Sequence, residues 1–577
     1  MSALQLEDIQ GLTVRAHAGL SRAVFVLLHV RDKKAAGKWL TSLADSVSCG
    51  YDRPQERAVQ IAFTYAGLKK LGLDPVLLAG FSREFQEGMV TPHRSRSLGD
   101  HGDSAPTKWK WGRTKPYDEW ESDEQGSDER ESDENESDEK ESDAQGSEAS
   151  SVHILLMVYA NKKKTLSSWL EELLPDPKVN DSGVERIDTL KSRMLPGNKE
   201  HFGFHDGISQ PRIAGLKRCA APQNTIAPGE FVLGYLNEYG YYPDSPTIEE
   251  KVKEDEKETD DPASELPRCR WNTAVRDFGA NGTYLVFRQL KQRVRDFWAF
   301  LDKRAESDVP PHETDAERQA YRGKLAAKMV GRWPSGAPLV LAPDRDVYPQ
   351  LAEIEEEMAA AEESGDDQRV AVLKDARKVL LDTTGAHMFG YYEGDPDGVA
   401  CPFGSHLRRA NPRDTLIDDD EHTPTDKNIK HRLSAVRITR HHRIIRRGRP
   451  YGKPVQDWMH EDGSIEPDRV IAKKRDPREL GLHFIGINAD IARQFEFIQH
   501  AWLNQSRFPA VANEVDPILG DADPDDKRQD GTFTAPSNLV RTRVEDLQRW
   551  VQVKGGAYFF MPGIRAIRYL GAVAGAK

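Results

Sequence analysis

Cysteine is scarce in this chain: four residues in 577, Cys49, Cys219, Cys269 and Cys401, none close to another. Such spacing argues against a dense disulfide framework and a cysteine zinc site, and it fits a reducing, cytoplasmic setting. Long apolar runs are missing too. No stretch approaches the ~20 apolar residues of a spanning helix, so no membrane partner is expected. The opening Met-Ser-Ala-Leu-Gln-Leu-Glu has neither a basic nor an apolar leader segment, which argues against secretion by a signal peptide. Net charge of one sign is also lacking once its source is located. The formal charge is −13, but residues 118–148 hold sixteen acids against two bases, leaving the remainder near +1. A near-neutral body gives no electrostatic pull toward nucleic acid.

That acidic stretch is a pentapeptide array, with Ser122, Ser127, Ser132, Ser137 and Ser142 in register. It cannot bury a core and is expected to be a disordered insertion over 117–150. Around it the chain alternates strands and helices. Ser21–Val30, Ala58–Tyr65 and Val152–Tyr159 read as strands, and Lys34–Ser46 and Leu166–Leu174 as helices. A second round follows, with a strand at Gly282–Arg288, a helix at Gln292–Leu301, a strand at Leu482–Asn488 and a helix at Ile491–Trp502. The recurrence hints at two related halves of α+β type. Residues 249–261 and 351–367 read as charged insertions, the second helical by its Ala and Glu content.

Two turn-rich segments carry chemistry. One is Gly203-Phe-His-Asp206-Gly-Ile-Ser-Gln-Pro211, the other Cys401-Pro-Phe-Gly-Ser-His406 with Arg408, Arg409 and Arg413 behind it. Taken alone, a G-x-x-D-G is more often a turn than a catalytic site. Its extension through Ile-Ser-Gln-Pro, with His406 and Arg446 following in order, reverses that reading. With their surroundings these segments resemble the dye-decolourising (DyP-type) haem peroxidases, in particular the longer-chain members. The resemblance extends over Asp8–Leu12, Asn281–Arg288, Lys328–Trp333, Arg446–Gly452, Arg493–Ile498 and Lys554–Pro562. It implies two ferredoxin-like domains with antiparallel sheets: an N-terminal one over 1–215, a linker or insertion over 216–280, and a C-terminal haem-binding one over 281–577.

The same resemblance implies one haem b per chain, with His406 as iron ligand, Asp206 as the base that moves a peroxide proton, and Arg446 as the cation that stabilises separating charge. Leu482 and Phe484, two apart on one strand face, are the implied apolar residues above the haem. Arg446 is preferred to Arg447 because it follows Ile444 and Ile445, although the doublet leaves the choice open. The acid that would orient His406 is not identified by sequence. No C-x-x-C-H occurs, so the haem would be held without thioether links. His205, His441 and His442 compete as ligands, and Cys401 before Pro402 competes as a thiolate. The Arg- and His-rich run 430–453 would ordinarily suggest an anion or nucleic-acid patch. Its only aromatic residue is Tyr451, which makes a base-stacking platform improbable and pairing with haem propionates the better use. The implied activity is reduction of hydrogen peroxide coupled to one-electron oxidation of dyes, phenols or similar bulky aromatic reductants, with better turnover in mild acid. A haem-carrying or haem-sensing protein is the alternative. The oligomeric state and the reductant stay open.

Overall fold

In the computed structural model, the described residues exclude 1–2, 114–150, 176–180, 217–223, 250–260, 310–313, most of 347–365, 384–388, 417–434, 456, 461–463, 477, 523–530, 537–540 and 577. The acidic array lies outside them, as do most of the two smaller insertions.

The first half runs β1 (Arg22–Val30), α1 (Lys33–Ala44), β2 (Arg57–Phe63), β3 (Ile154–Ala160), α2 (Lys163–Leu173) and β4 (Val184–Arg193). Its strands lie in the antiparallel order β4-β1-β3-β2. The second half repeats the plan. It runs β5 (Thr283–Gln292), α3 (Val294–Asp308), then α4 (Asp315–Val330) and α5 (His406–Ala410) in a long excursion, then β6 (Ile445–Arg446), β7 (Arg449–Tyr451), β8 (Gly481–Asn488) and β9 (Val551–Met561). Here the order is β9-β5-β8, with β6 and β7 both on β8. Each half is thus a ferredoxin-like βαββαβ unit, and the recurrence hinted at by the sequence is a structural one.

One backbone pairing, Phe560 with Phe63, joins the halves into a single sheet. Its far ends come together as well, since Ser192 Oγ on β4 meets His483 Nδ1 on β8 at 2.6 Å. The curled sheet encloses a core of Phe25, Leu27, Met157, Phe287, Ile485 and Phe559, all buried. Phe25 and Phe287, one from each half, meet edge to face at 5.4 Å. The outer faces pack under helices, so β1 and β3 are buried on both sides and read as unbroken apolar runs. Helix α1 starts on Asp32, whose side chain accepts from Ala35 N, and buries Ala36, Leu40, Leu43 and Ala44 on one stripe. The last helix, α6 (Ile564–Ala576), follows β9 but packs back on α1 of the first half. Contact is close there: a Cβ on Gly37 would lie 2.4 Å from Gly575 N.

The expected helix at 491–502 departs from the α form. Ala492–Glu496 and Ile498–Leu503 wind as π-helix, a local widening often found where a helix lines a functional cavity. No helix among the described residues is long and apolar enough to cross a membrane.

Candidate active site

On the outer face of the second half, side chains alternate along β5 and β8 so that Arg288, Leu290 and Gln292 stand beside Leu482 and Phe484. These five line a cavity of about 310 Å³. Asp206, Arg446 and His406 line it as well, so residues spread over 240 positions of sequence share one space.

Asp206 sits at the end of a tight loop. Its N–H donates to Asn198 O at 2.9 Å, and Gly203 turns the loop with φ 96°. The following turn is fixed by a neighbour: His205 N donates to Pro334 O at 3.1 Å, and Gly336 lies so close that a Cβ there would be 2.3 Å from Ile208 Cδ1. Arg446 reaches Asp206 with Nη1 at 3.9 Å from Oδ1. Its own position is set by Gln210 Oε1, which accepts from Arg446 N at 2.9 Å, and by Ile208 O, which accepts from Nη2 at 2.6 Å. Arg447 points elsewhere. Its guanidinium donates to Leu12 O at 2.8 Å and Thr13 O at 3.2 Å, and burial pushes its pKa down to about 10. Of the doublet, only Arg446 faces the cavity.

His406 begins the short α5. Its Nδ1 lies 3.0 Å from Asp516 Oδ2, and Asp516 is fully buried. Burial alone would hold a proton on Asp516. The charge and hydrogen bond of His406, with the N–H groups of Ile518 and Leu519 on Oδ1, outweigh it and hold the carboxyl below its ordinary range. The sequence left this partner unassigned: 110 residues separate the pair, and no spacing rule connects them.

The other candidate ligands are placed differently. Cys401 is buried in an apolar cluster with Trp333, Leu339 and Phe389, bonds Ser405 Oγ at 3.1 Å and is absent from the cavity wall. Burial raises its thiol pKa, which keeps it protonated. His441 is stacked on Tyr239 at 3.8 Å, outside the cavity. His442 does line it, but its ring is committed to Phe497 at 3.9 Å and to Arg493 O at 2.5 Å. His205 lines the cavity beside Asp206, with burial lowering its pKa.

A cationic rim was not anticipated residue by residue. Ser209, at φ 58°, gathers three guanidiniums: Arg332 and Arg413 donate to its Oγ at 2.9 and 3.2 Å, and Arg443 to its carbonyl at 3.0 Å. Burial and the neighbouring Arg413 and Arg446 push Arg443 down to about 9, and no carboxylate pairs with it among the described residues. Buried cations crowded beside an apolar cavity form a receptor for an anionic group. A flat apolar molecule carrying carboxylates, with a metal for His406, fits these walls.

No family model matches the chain. Curated relatives do. The chain is 27% identical over 375 residues to a dye-decolorizing peroxidase of Mycena epipterygia, which covers 64% of this chain and 54% of that protein. It is 26% identical over 532 residues to the dye-decolorizing peroxidase msp1 of Mycetinis scorodonius, covering 89% and 76%. The match thus spans between about half and three-quarters of the length of these two relatives. Among solved structures, a dye-decolorizing peroxidase in complex with 2,6-dimethoxyphenol superposes with a TM-score of 0.65 at 21% identity, over 99% of this chain and all of that one. The chain is thus similar in sequence, along most of its length, to dye-decolourising peroxidases, and it shares the fold of a solved one from end to end.

Proposed function

We propose that the protein is a haem peroxidase that reduces hydrogen peroxide and takes the electrons, one at a time, from dyes, phenols or similar aromatic reductants. The observation that carries this is the meeting, in one apolar cavity, of an Asp206–Arg446 pair with a His406–Asp516 pair. Haem b, when bound, supplies the iron at which peroxide is reduced and the redox equivalents that the reductants restore.

The chain's own residues supply the rest. With Nδ1–H donated to Asp516, His406 keeps Nε2 free as a metal ligand, and the buried charge of Asp516 strengthens its donor character. Arg332 and Arg443, which line the cavity, would hold the propionates, with Arg413 beside them on Ser209. Leu482 and Phe484 shape the peroxide pocket and keep bulk water out. An Asp206 carboxylate oxygen accepts the proton of the inner peroxide oxygen and returns it to the outer one. Arg446 compensates the negative charge that separates with it, an arrangement worth roughly 10²–10⁴-fold in rate. The described cysteines, Cys49, Cys269 and Cys401, are all unpaired, which supports a reducing compartment such as the cytoplasm.

The test is the absorption spectrum of haem-loaded protein before and after one equivalent of peroxide, in wild type, His406→Ala and Asp206→Asn. The expected result is a high-spin ferric spectrum that His406→Ala displaces, and a prompt peroxide-induced change that Asp206→Asn slows by at least a hundredfold. Failure of the wild-type chain to take up haem would overturn the reading.

A further inference from the structure

Glu200 lies in the wall of the same cavity, six residues before Asp206, and the chemistry above makes no use of it. Three N–H groups converge on its carboxyl. Oε2 accepts from Phe202 N at 2.8 Å and from the side-chain amide of Gln292, and Oε1 accepts from Phe204 N at 2.9 Å. Its backbone closes the same turn: Glu200 N donates to Phe204 O at 3.0 Å, and Gly203 N to Glu200 O at 2.9 Å. Glu200 therefore ties off the loop that presents Asp206, and through Gln292 it pins that loop to β5. We propose that Glu200 is the positioning residue for Asp206 and that loss of its proton, as the solution turns alkaline, closes the pH range in which the cavity handles peroxide. The inference rests on the peroxidase reading.

Three hydrogen bonds favour the carboxylate, whereas burial and the nearby Asp206 favour the acid. Burial wins, and the group is pushed up to about 7. The ionisable groups sharing the wall are Asp206 and His205 on its own loop, Arg446 on β6, Arg288 on β5, Arg549 ahead of β9 and, from the other lining segments, Asp100, Arg332, His406, His442 and Arg443. Arg288 is committed to Asp100, and Arg446 stands at Asp206. None of these cations is hydrogen-bonded to Glu200, whose partners are the two backbone N–H groups and Gln292. A charge on Glu200 thus adds, near Asp206, an anion with no hydrogen-bonded cation of its own, where peroxide must itself give up a proton and bear negative charge. In mild acid Glu200 is neutral; above neutrality it adds its charge to the wall.

Two readouts test this. Infrared difference spectra of the chain without haem, titrated from about pH 5 to about pH 9, should show a protonated-carboxyl C=O band that disappears near neutrality and is missing in Glu200→Gln. In the haem-loaded protein, the second-order rate with peroxide should fall about tenfold between pH 6 and pH 8, as for a single titrating group, and Glu200→Gln should flatten that fall to within about twofold. Gln292→Leu removes one N–H that favours the carboxylate, so both midpoints should move to higher pH. That variant carries the test if Glu200→Gln does not fold. A band that survives Glu200→Gln, or midpoints that Gln292→Leu leaves in place, would overturn the proposal. The infrared arm needs no haem, so its outcome is separate from that of the peroxidase reading.

Discussion

Replacing Asp516 with Asn changes one atom and leaves the volume alone, yet the hydrogen bonds around it dictate a large effect. Asp516 Oδ1 accepts from Ile518 N at 2.9 Å and Leu519 N at 2.7 Å, while Oδ2 faces His406 Nδ1 at 3.0 Å. An amide has only one oxygen, and the two backbone donors claim it. The NH₂ then faces His406, so Nδ1 must become an acceptor and the proton moves to Nε2, the nitrogen meant for the metal. Two losses follow. The charge-assisted bond, worth about 1.5–3 kcal/mol, goes; and the ligand is held in the wrong tautomer. Loss of such an outer partner usually lowers metal affinity by about 10–100-fold. We expect Asp516→Asn to weaken haem retention within that range, measured by transfer to an excess of an apo-acceptor. Nitrogen NMR of the haem-free variant should show the His406 proton on Nε2. Retention within twofold of wild type, with the proton still on Nδ1, would refute the tautomer argument.

The arginine doublet offers a sharper contrast, because the two side chains do different things. Arg446→Ala should slow the peroxide reaction by at least a hundredfold with little change in thermal midpoint, whereas Arg447→Ala, which releases Leu12 O and Thr13 O, should lower the midpoint and spare the rate; stopped-flow and calorimetry on both would show it. Burial pushes His483 down to about 3 and His201 to about 4. Each is a base whose folded value lies below its unfolded one, so its contribution to stability is full above about pH 6.5 and is lost as pH falls toward the folded value. Urea midpoints should therefore drop between pH 6.5 and pH 4, at up to about 1.4 kcal/mol per pH unit for each buried imidazole. His483→Phe, which keeps a ring between Tyr451 and Phe287, should flatten that decline. Finally, Gly481→Ala would set a Cβ 2.0 Å from Leu290 O and should cost about 1–3 kcal/mol, while Gly323→Ala, in α4 with open space around it, should gain about 0.5–1 kcal/mol. Thermal melts of the pair test the packing directly.

What could be read from the sequence follows from how local each signal is. Strands β1 and β3 announced themselves because both of their faces are buried, which writes a nearly continuous apolar run, and β5 did so through its apolar first half, Tyr284–Phe287. Strand β4, Val-Glu-Arg-Ile-Asp-Thr-Leu-Lys-Ser-Arg, went unassigned because it stands at the sheet edge and exposes much of its length. Strand β9 was hidden by Gly555 and Gly556. The register slips there, and a Cβ on Gly555 would lie 2.5 Å from Trp111 Nε1, so these glycines admit the Trp111 ring rather than break a strand. Asp206, His406 and Arg446 stood out through motif wording, whereas Asp516, Ser209 and Glu200 are defined only by what they touch across the fold.

The two halves share one topology, yet the cavity that Asp206, Arg446 and His406 line lies on the second, and the reason lies in their connections. In the first half, α1 and α2 close over the outer sheet face with Leu40, Leu43, Leu166 and Trp169. In the second, more than a hundred residues intervene between α3 and β6, and this excursion supplies α5 with His406 as well as the guanidiniums of Arg332, Arg413 and Arg443. The outer face of β5 and β8 is correspondingly mixed: Leu290, Leu482 and Phe484 stand beside Arg288 and Gln292, polar groups that an ordinary helix-covered face would exclude. A sheet face of that composition gains nothing from a packed helix, because the helix would bury Arg288 and Gln292 against apolar side chains. It is suited instead to a cavity in which Asp100 meets Arg288 and Glu200 meets Gln292. The chemistry thus follows from which residues the second half leaves uncovered, and the shared βαββαβ frame serves to hold them at fixed spacing.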